Sequence, residues 1–215
     1  MYDNGQTVAK PIGSETTPGG SMGRSQAFDS AAAVSAARDC FWRQGYEETS
    51  LADLERATGL NRSSLYNTFS SKRGLYDLAV QDYLDAVVRP RLEPLLTAQP
   101  GSHAAAGCFR TMSAWVAASA AETGSAPGCL LLNSAAGLAA HDERQRAVVD
   151  AYYAQLTEAM AAGLAADSPA GASGQLAARA RLLVSLLISA LLLSRVNPAA
   201  AQEVLAEAAA LATTT

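Results

Sequence analysis

The signals that start and stop helices follow one another closely in the segment 49–72. Ser50 can accept a hydrogen bond from a free backbone amide at the start of a helix, and Gly59 can adopt the left-handed conformation that ends one. Asn61 or Ser63 can then start the next helix. Only two short helices joined by a tight glycine turn fit between these signals. The segment therefore predicts a helix-turn-helix unit.

The second of these helices carries side chains suited to DNA. Leu65 and Phe69 recur at helical spacing and form its buried face. The positions that point away from this face are polar: Asn61, Arg62, Ser63, Ser64, Tyr66 and Asn67. Arginine and asparagine suit the edges of guanine and adenine, whereas serine and tyrosine hydroxyls suit bases or phosphates. Because the second helix of such a unit enters the major groove, we expect these side chains to contact DNA.

The charge distribution favours the same segment. The chain carries a formal net charge of −4 at pH 7, so any contact with nucleic acid has to be local. No acidic residue lies between Glu55 and Asp77, whereas Arg62, Lys72 and Arg73 in this window supply positive charges. Lys72 begins the helix that follows, where we expect it to bind a phosphate. Thr49 and Ser50 are expected to do the same at the first helix.

The rest of the chain is expected to be helical. Hydrophobic residues make up 49% of the sequence, with a large excess of alanine and leucine, whose unbranched side chains favour helix. The predicted fold class is all-α. Pro90 and Pro94 are expected to close or kink the helix that starts near Lys72. Residues 1–23 are expected to form a disordered arm. Further helices are predicted over residues 28–44, 102–121, 128–139, 142–165, 174–196 and 198–211.

Residues 45–80, GYEETSLADLERATGLNRSSLYNTFSSKRGLYDLAV, resemble the N-terminal domain of TetR/AcrR-type transcriptional repressors. The likeness lies in the TS cap, the ATGL turn, the SLYNTF helix and the SK opening of the next helix. It implies a three-helix DNA-binding domain over residues 24–72. A connecting helix would join it to a C-terminal helical domain over residues 73–215, which would bind an effector and dimerise. The resemblance also implies that Arg24, in the basic arm, contacts DNA.

The effector site is expected among apolar and aromatic side chains of the C-terminal half: Phe109, Met112, Trp115, Cys129, Leu132, Asn133 and Tyr152. Cys129 follows Pro127 and Gly128, which predicts a place in the first turn of a helix, where the helix dipole stabilises a thiolate. A similar GCL segment occurs in TetR-family branches that sense electrophiles or oxidants through that cysteine. A redox- or electrophile-sensing repressor is thus one alternative, and a cysteine that only packs the helix start is the other.

The end of the chain predicts an interface between two copies. Residues 142–196 are expected to contain two long helices, and the second is apolar almost all round over Leu182–Leu193. The resemblance implies that the last two long helices form a four-helix homodimer interface, whereas a helix covered within one chain is the alternative. A homodimer presents two recognition helices to successive major grooves, which predicts a near-palindromic operator.

Several classes of protein are not expected from the sequence. Three cysteines without a CxxC pair and two isolated histidines favour neither disulfides nor a zinc site, and no cofactor is expected. No signal peptide is recognisable, and the longest apolar stretch falls short of the roughly 20 residues of a membrane span. No phosphate-binding glycine loop, HExxH or GxSxG motif indicates an enzyme. The expectation is a cytoplasmic bacterial regulator that responds to a small molecule; a helical protein-interaction module is the competing interpretation.

Overall fold

The computed structural model describes residues 22–168 and 173–213, with side chains described over 30–168 and 175–213. This part of the chain is helical without a strand, which confirms the all-α fold class. A π turn over Leu84–Val88 joins two of the helices. The α-helices are α1 (Met22–Gln44), α2 (Leu51–Thr58), α3 (Arg62–Phe69), α4 (Lys72–Tyr83), α5 (Arg89–Leu96), α6 (Ala104–Thr123), α7 (Leu130–Ala135), α8 (Leu138–His141), α9 (Glu143–Ala165), α10 (Ser173–Leu193) and α11 (Pro198–Thr213).

The first four helices pack around an aromatic centre. Helix α1 lies against α2 and α4, and α3 contacts α2 and α4. Phe41 of α1 is fully buried and meets Tyr76 of α4 edge to face, with ring centroids 5.1 Å apart. Leu54 and Leu65 bring α2 and α3 into the same core. Because both short helices are fixed by these apolar contacts, their outer faces hold a defined orientation.

The helix that starts at Lys72 continues past the prolines. Pro90 lacks an N–H, and its ring would clash with the carbonyl of the residue four positions earlier in a regular α-helix. The π turn widens the helix directly before it, and the Arg89 amide bonds the Leu84 carbonyl five residues back. Helix α5 then runs to Leu96, with Pro94 inside it. A π turn therefore precedes Pro90 at the junction of α4 and α5, and neither proline closes the helix.

The C-terminal helices enclose the larger part of the core. Helix α11 packs against α6 and α10, α10 packs on α9, and α5 lies across α9. Phe109, Met160, Leu183 and Leu205 are fully buried among them. The short α7 contacts α1, α4, α9 and α10. The two halves of the protein thus meet at α7, and their buried residues form one continuous hydrophobic cluster.

Two predicted boundaries are wrong. Helix α1 begins at Met22 and not near residue 28, because nothing in residues 22–28 stops a helix from extending once it has formed. The last two residues of the predicted disordered arm are therefore helical, and its residues 1–21 lie outside the described residues. The predicted helix 128–139 is divided at Gly137, whose φ of −101° and ψ of −105° are not helical.

Helix α10 contains a long apolar segment. Its segment Gln175–Leu193 has a mean hydropathy of 2.0 over 19 residues, long and apolar enough by length and composition to cross a membrane. The apolar stretch expected from the sequence, Leu182–Leu193, is shorter than this segment. Only 33% of this segment is buried within the chain. Leu182 and Leu192 of α10 are thus left exposed by the protomer itself.

Candidate DNA interface and effector cavity

Helix α3 is fixed at its start by Asn61 and on its inner side by two buried side chains. The Asn61 Oδ1 atom accepts a hydrogen bond from the Ser64 backbone N–H at 2.9 Å. Leu65 and Phe69 are buried in the core. The opposite face is polar and exposed, with Arg62, Ser63, Tyr66 and Asn67 at the surface and Ser64 half-buried. The structure therefore brings together the side chains predicted from the sequence on one accessible helix face.

Helix α2 begins and ends with the capping residues that the sequence predicts. The Ser50 side chain accepts from the Asp53 N–H, and the Asp53 carboxylate accepts in return from the Ser50 N–H. The Ser50 hydroxyl also donates to the Asp53 carboxylate, and this bond, followed by that from the Ser50 N–H, lowers the pKa of Asp53. Gly59 ends α2 with a φ of 69° in the left-handed region, which allows the sharp turn towards α3. Ser50 is exposed, at the start of α2.

Thr49 does not lie on this surface. It is completely buried, and its hydroxyl donates to the Gly45 carbonyl at 2.6 Å. This bond closes the turn between α1 and α2, because it satisfies a carbonyl at the end of α1. The residue supports the position of the interface and has no free donor for a phosphate. Arg24 lies in the first turns of α1, and its side chain is outside the described side chains.

Lys72 is held beside the interface by an aromatic ring. Its Nζ atom lies 4.5 Å from the centroid of Tyr46 and 3.4 Å from the Glu47 carbonyl oxygen. Tyr46 is in turn packed edge to face on Tyr76, at 4.8 Å between centroids. Lys72 forms no ion pair with any described side chain, so its charge is available to a phosphate. The sequence did not single out Tyr46, because only the fold brings its ring under the lysine.

The basic window of the sequence divides into two parts with different roles. Arg62 lies over the Tyr66 ring at 5.9 Å and has no carboxylate partner among the described residues. Arg73, in contrast, bonds Asp77 of its own helix at 2.8 Å and both carboxylate oxygens of Asp142. Arg73 is therefore committed to intramolecular ion pairs. Of Arg62, Lys72 and Arg73, the first two remain for DNA.

The Arg73–Asp142 pair connects the DNA-binding helices to the C-terminal half. Asp142 is the N-cap of α9 and accepts the Gln145 N–H at 2.7 Å. The Arg73 guanidinium and, next, this N–H lower the pKa of Asp142 to about 2. The buried Gln145 amide donates to the Tyr76 hydroxyl at 3.3 Å and to the Ser134 hydroxyl at 3.2 Å. A charged contact and a buried polar network thus join α4 to α7 and α9.

A small internal cavity lies where α4 and α5 meet α6, α9 and α10. Its volume is about 30 Å³, roughly that of one water molecule. Apart from one arginine, two tyrosines and a cysteine, its walls are apolar. The lining residues are Tyr83, Val88, Arg91, Leu92, Cys108, Met112, Tyr152, Leu156, Leu187 and Leu191. Burial raises the pKa of the Cys108 thiol to about 11, so this thiol stays protonated at neutral pH.

The predicted effector residues do not share one space. Met112 and Tyr152 line the cavity, and Phe109 is fully buried in the core. Trp115 faces a separate open cleft of about 440 Å³ bounded by α1, α6 and Arg195. Leu132 lies in a shallow depression on the outer side of α7 and α9, together with Tyr153. Helical periodicity indicates burial but not which buried side chains meet, so it could not separate these places.

Asn133 has a structural role between the two halves. Its amide nitrogen donates to the Pro127 carbonyl at 2.9 Å and to the Trp42 carbonyl at 3.4 Å. The Arg195 guanidinium donates to the same two carbonyls and to that of Arg43. The Trp42 indole N–H in turn donates to the Gly128 carbonyl at 3.0 Å. These bonds tie the end of α1 to the loop before α7.

Cys129 is buried, with 1% of its surface exposed. It is the N-cap of α7 and not a residue of its first turn, with φ −121° and ψ 126°. Its thiol donates to the Tyr152 hydroxyl oxygen at 3.5 Å. Burial, and then the neighbouring Cys129, hold the pKa values of Tyr83 and Tyr152 well above their usual range. An external electrophile therefore has no direct path to the sulfur in this conformation.

The exposed polar helix held on a buried helix-turn-helix core defines the class of the molecule as a DNA-binding protein of the helix-turn-helix type. Within the described ranges, no group of three or more histidine, cysteine or acidic side chains could hold a metal ion. The comparisons with known proteins agree with this class. The family model of the bacterial regulatory proteins of the tetR family matches residues 33–79.

Two curated relatives are helix-turn-helix regulators. The uncharacterized transcriptional regulator YezE of Bacillus subtilis is 35% identical over 146 residues, which are 66% of this chain and 72% of YezE. The transcriptional repressor ComR of Escherichia coli is 46% identical over 65 residues. That match spans 30% of this chain and 31% of ComR.

A solved structure extends the likeness over most of the chain. It is a cysteine mutant of the TetR-family regulator CifR complexed with a 26-bp double-strand operator DNA. It is 25% identical, with a TM-score of 0.62, and the match covers 85% of this chain and 93% of that one. The chain belongs to the TetR family of bacterial transcriptional regulators. Members of this family are soluble DNA-binding proteins and not enzymes, which also rules against an isolated protein-interaction module.

Proposed function

We propose that this protein is a homodimeric repressor that binds a near-palindromic operator and releases it when a small molecule occupies its C-terminal half. The observation that carries the proposal is the exposed polar face of α3, fixed from behind by Leu65 and Phe69. Beside it, Arg62 and Lys72 carry charges that no described carboxylate neutralises. A recognition helix needs both the fixed orientation and the free charge.

The side chains of this face divide by the contacts they suit. Arg62 and Asn67 project from α3 and are assigned to base edges in the major groove. Lys72 is assigned to a phosphate. Ser50, at the start of α2, stays a predicted phosphate contact, although its hydroxyl and its N–H both donate to Asp53. The remaining polar residues of the predicted set are assigned to the backbone or to bases: Asn61, Ser63, Ser64 and Tyr66. The operator complex of CifR supports this arrangement by its shared fold.

The uncovered face of α10 supports a homodimer. Among its exposed residues, Leu182, Ser185, Ser189 and Leu192 recur at intervals of three and four, and Val196 is exposed in the turn that follows the helix. Val196 is 81% exposed, Leu182 55% and Leu192 46%, and none of these five side chains carries a charge. Leu211 of α11 is exposed as well. Exposed leucine and valine side chains in such a stripe are unfavourable in water. The sequence predicted an interface from the two long helices of residues 142–196, which are α9 and α10. The exposed residues support α10, and Leu211 leads us to assign α11 in place of α9 to the contact with a second copy.

The release mechanism uses the contacts between α4 and the C-terminal half. Arg73 and Tyr76 of α4 are bonded to Asp142 and Gln145 of α9. A shift of α9 or α7 would therefore be transmitted to α4 and to the recognition helix packed on it. An effector that binds only the shifted state draws the population towards it, and the two recognition helices no longer match the half-site spacing.

The alternative trigger is oxidation or alkylation of Cys129. The buried thiol and its bond to Tyr152 favour a reversible effector, because a reagent would have to open the core before it reached the sulfur. The two triggers differ in one test. A Cys129→Ser variant keeps its response to a reversible effector but loses its response to an electrophile.

A gel-shift assay with DNA from upstream of the protein's own gene tests the proposal. Wild type is expected to give a specific shift that Lys72→Ala weakens and that Arg110→Ala leaves unchanged. Arg110 is an exposed arginine of α6, outside the proposed interface, and serves as the charge-matched control. Equal binding by the Lys72 and Arg110 variants, or no specific shift by wild type, would contradict the assignment. Adding a mild electrophile to wild type and Cys129→Ser decides between the two triggers.

A further inference from the structure

Arg91 differs from the other half-buried arginines with described partners. Arg38 bonds Asp39 and Asp82, Arg73 bonds Asp77 and Asp142, and Arg195 donates to backbone carbonyls. The Arg91 guanidinium forms neither an ion pair nor a hydrogen bond with any described residue. Its contacts are the faces of two indoles, with distances to the ring centroids of 4.8 Å for Trp115 and 5.9 Å for Trp42. Its N–H donors are therefore open to an external acceptor.

The position of this cation is unfavourable without an anion. A partly buried charge that lacks a counter-charge loses hydration and gains little in exchange. Contacts with the two aromatic rings hold the guanidinium in place, and no described residue accepts a hydrogen bond from its N–H groups. The edge of a guanidinium has the fork geometry that matches both oxygens of a carboxylate. Arg91 is thus placed to bind an anion.

The surroundings of Arg91 fit the rest of such a ligand. Arg91 lines the internal cavity, whose walls are mainly apolar and include no acidic residue. Tyr83 and Tyr152 line the same cavity. Burial keeps the pKa of both phenols well above the usual range, so they stay neutral. The cavity joins one positive charge, two neutral tyrosine side chains and an apolar body.

We propose that the effector is an amphipathic organic acid whose carboxylate pairs with Arg91 and whose aromatic or aliphatic body enters the cavity among Val88, Met112 and Leu187. This inference rests on the proposed function, since it names the chemical class of the effector. It also assigns Arg91 as the residue that determines specificity. A phosphate ester with a similar apolar body shares part of this chemistry, but the flat guanidinium edge and the apolar walls favour a single carboxylate.

The size of the cavity connects binding to release. At about 30 Å³ it cannot hold the body of an organic acid in this conformation. Tyr83, Val88, Arg91 and Leu92 stand on α4, α5 and the π turn between them, so the cavity enlarges when this helix moves. The acid therefore binds the state in which α4 is displaced. The indoles of Trp42 and Trp115, which Arg91 contacts, also line the open cleft between α1 and α6.

Binding of 1-naphthoate to the purified full-length protein, followed by tryptophan fluorescence in the absence of DNA, tests the inference. Benzoate and octanoate extend the series, and 1-naphthamide serves as the neutral analogue of the same shape. We expect saturable quenching by at least one acid and binding of the amide weaker by about tenfold or more. Arg91→Gln should lose a similar factor for the acid and none for the amide. Arg89→Gln, at an exposed arginine of α5, should bind the acid like wild type.

Equal binding of acid and amide to wild type would overturn the proposal, even if an Arg91 variant failed to fold. So would full affinity for the acid in Arg91→Gln, or the absence of saturable binding by every acid. Operator binding without any acid is measured in a separate gel shift. If the protein shifts the operator but binds no acid, this inference fails and the proposed function stands. If the protein binds the acid but no DNA, the proposed function fails and Arg91 remains the site of an organic acid.

Discussion

Replacement of Gly128 by alanine tests the junction between the two halves of the molecule. Gly128 has a φ of +73°, and an added Cβ would lie 2.9 Å from the Leu191 carbonyl oxygen and 3.1 Å from Asn133 Oδ1. An L-residue in the left-handed region costs about 1–2 kcal/mol. Forcing extra atoms into a packed region costs about 1–3 kcal/mol more. The variant should therefore be less stable by about 2–5 kcal/mol.

The measurement is the melting temperature by far-ultraviolet circular dichroism, at equal concentrations of wild type and variant. A protein of this size loses about 2–4 °C per kcal/mol, so Gly128→Ala should melt roughly 4–20 °C lower. Gly124→Ala is the matched control, because Gly124 has a φ of +84° and nothing lies within 4 Å of an added Cβ. The control should show only the conformational part of the loss. Equal losses in both variants would refute the contact with Leu191, and no loss in either would refute the backbone conformation.

Four further variants test the DNA contacts, the cap of α2 and the Arg73–Asp142 pair. Lys72→Ala should weaken binding to all DNA sequences and lower the slope of log affinity against log salt by about one per protomer. Arg62→Ala should instead relax base preference at one position per half-site. Fluorescence anisotropy over a salt series measures both effects. Identical salt slopes for Lys72→Ala and wild type would contradict the phosphate contact. Ser50→Ala removes the N-cap of α2 and should reduce stability by about 1 kcal/mol in thermal melts, and an unchanged melting temperature would speak against the capping box. Because the folded-state pKa of Asp142 is lowered to about 2, its pair with Arg73 contributes stability above the ordinary carboxyl pKa and loses it as the pH falls through 2. Asp142→Asn should remove that part of the acid dependence in melts between neutral pH and pH 2, and an unaltered acid dependence would contradict the pair.

The local elements could be predicted from the sequence because their signals are local. Ser50 and Asn61 cap the helices that follow them, and Gly59 supplies the left-handed turn, each through hydrogen bonds within a few residues. Leu65 and Phe69 are buried as their spacing predicts. The candidate DNA surface is built almost entirely from such short-range features, and the structure places its exposed residues together.

The parts that depend on distant contacts could not be predicted. Arg73 looked like part of a basic DNA surface, but its partner Asp142 is 69 residues away in the chain. Arg89 and Arg91 are equivalent in sequence, and only the packing of α5 turns Arg91 towards the cavity. The periodic pattern around Pro90 could not show that a π turn keeps the helix continuous. In each case the deciding interaction is with a helix that the local sequence does not specify.

The most direct test of the central claim is a hydroxyl-radical footprint on the DNA upstream of the gene. A homodimer with two recognition helices should protect two half-sites, related by a two-fold axis and centred about one helical turn or a multiple apart. The protection should be lost in a double variant, Arg62→Ala with Asn67→Ala, and retained in Arg110→Ala. A single asymmetric footprint, no protection by wild type, or the same protection by the double variant would contradict the assignment of α3 as the recognition helix.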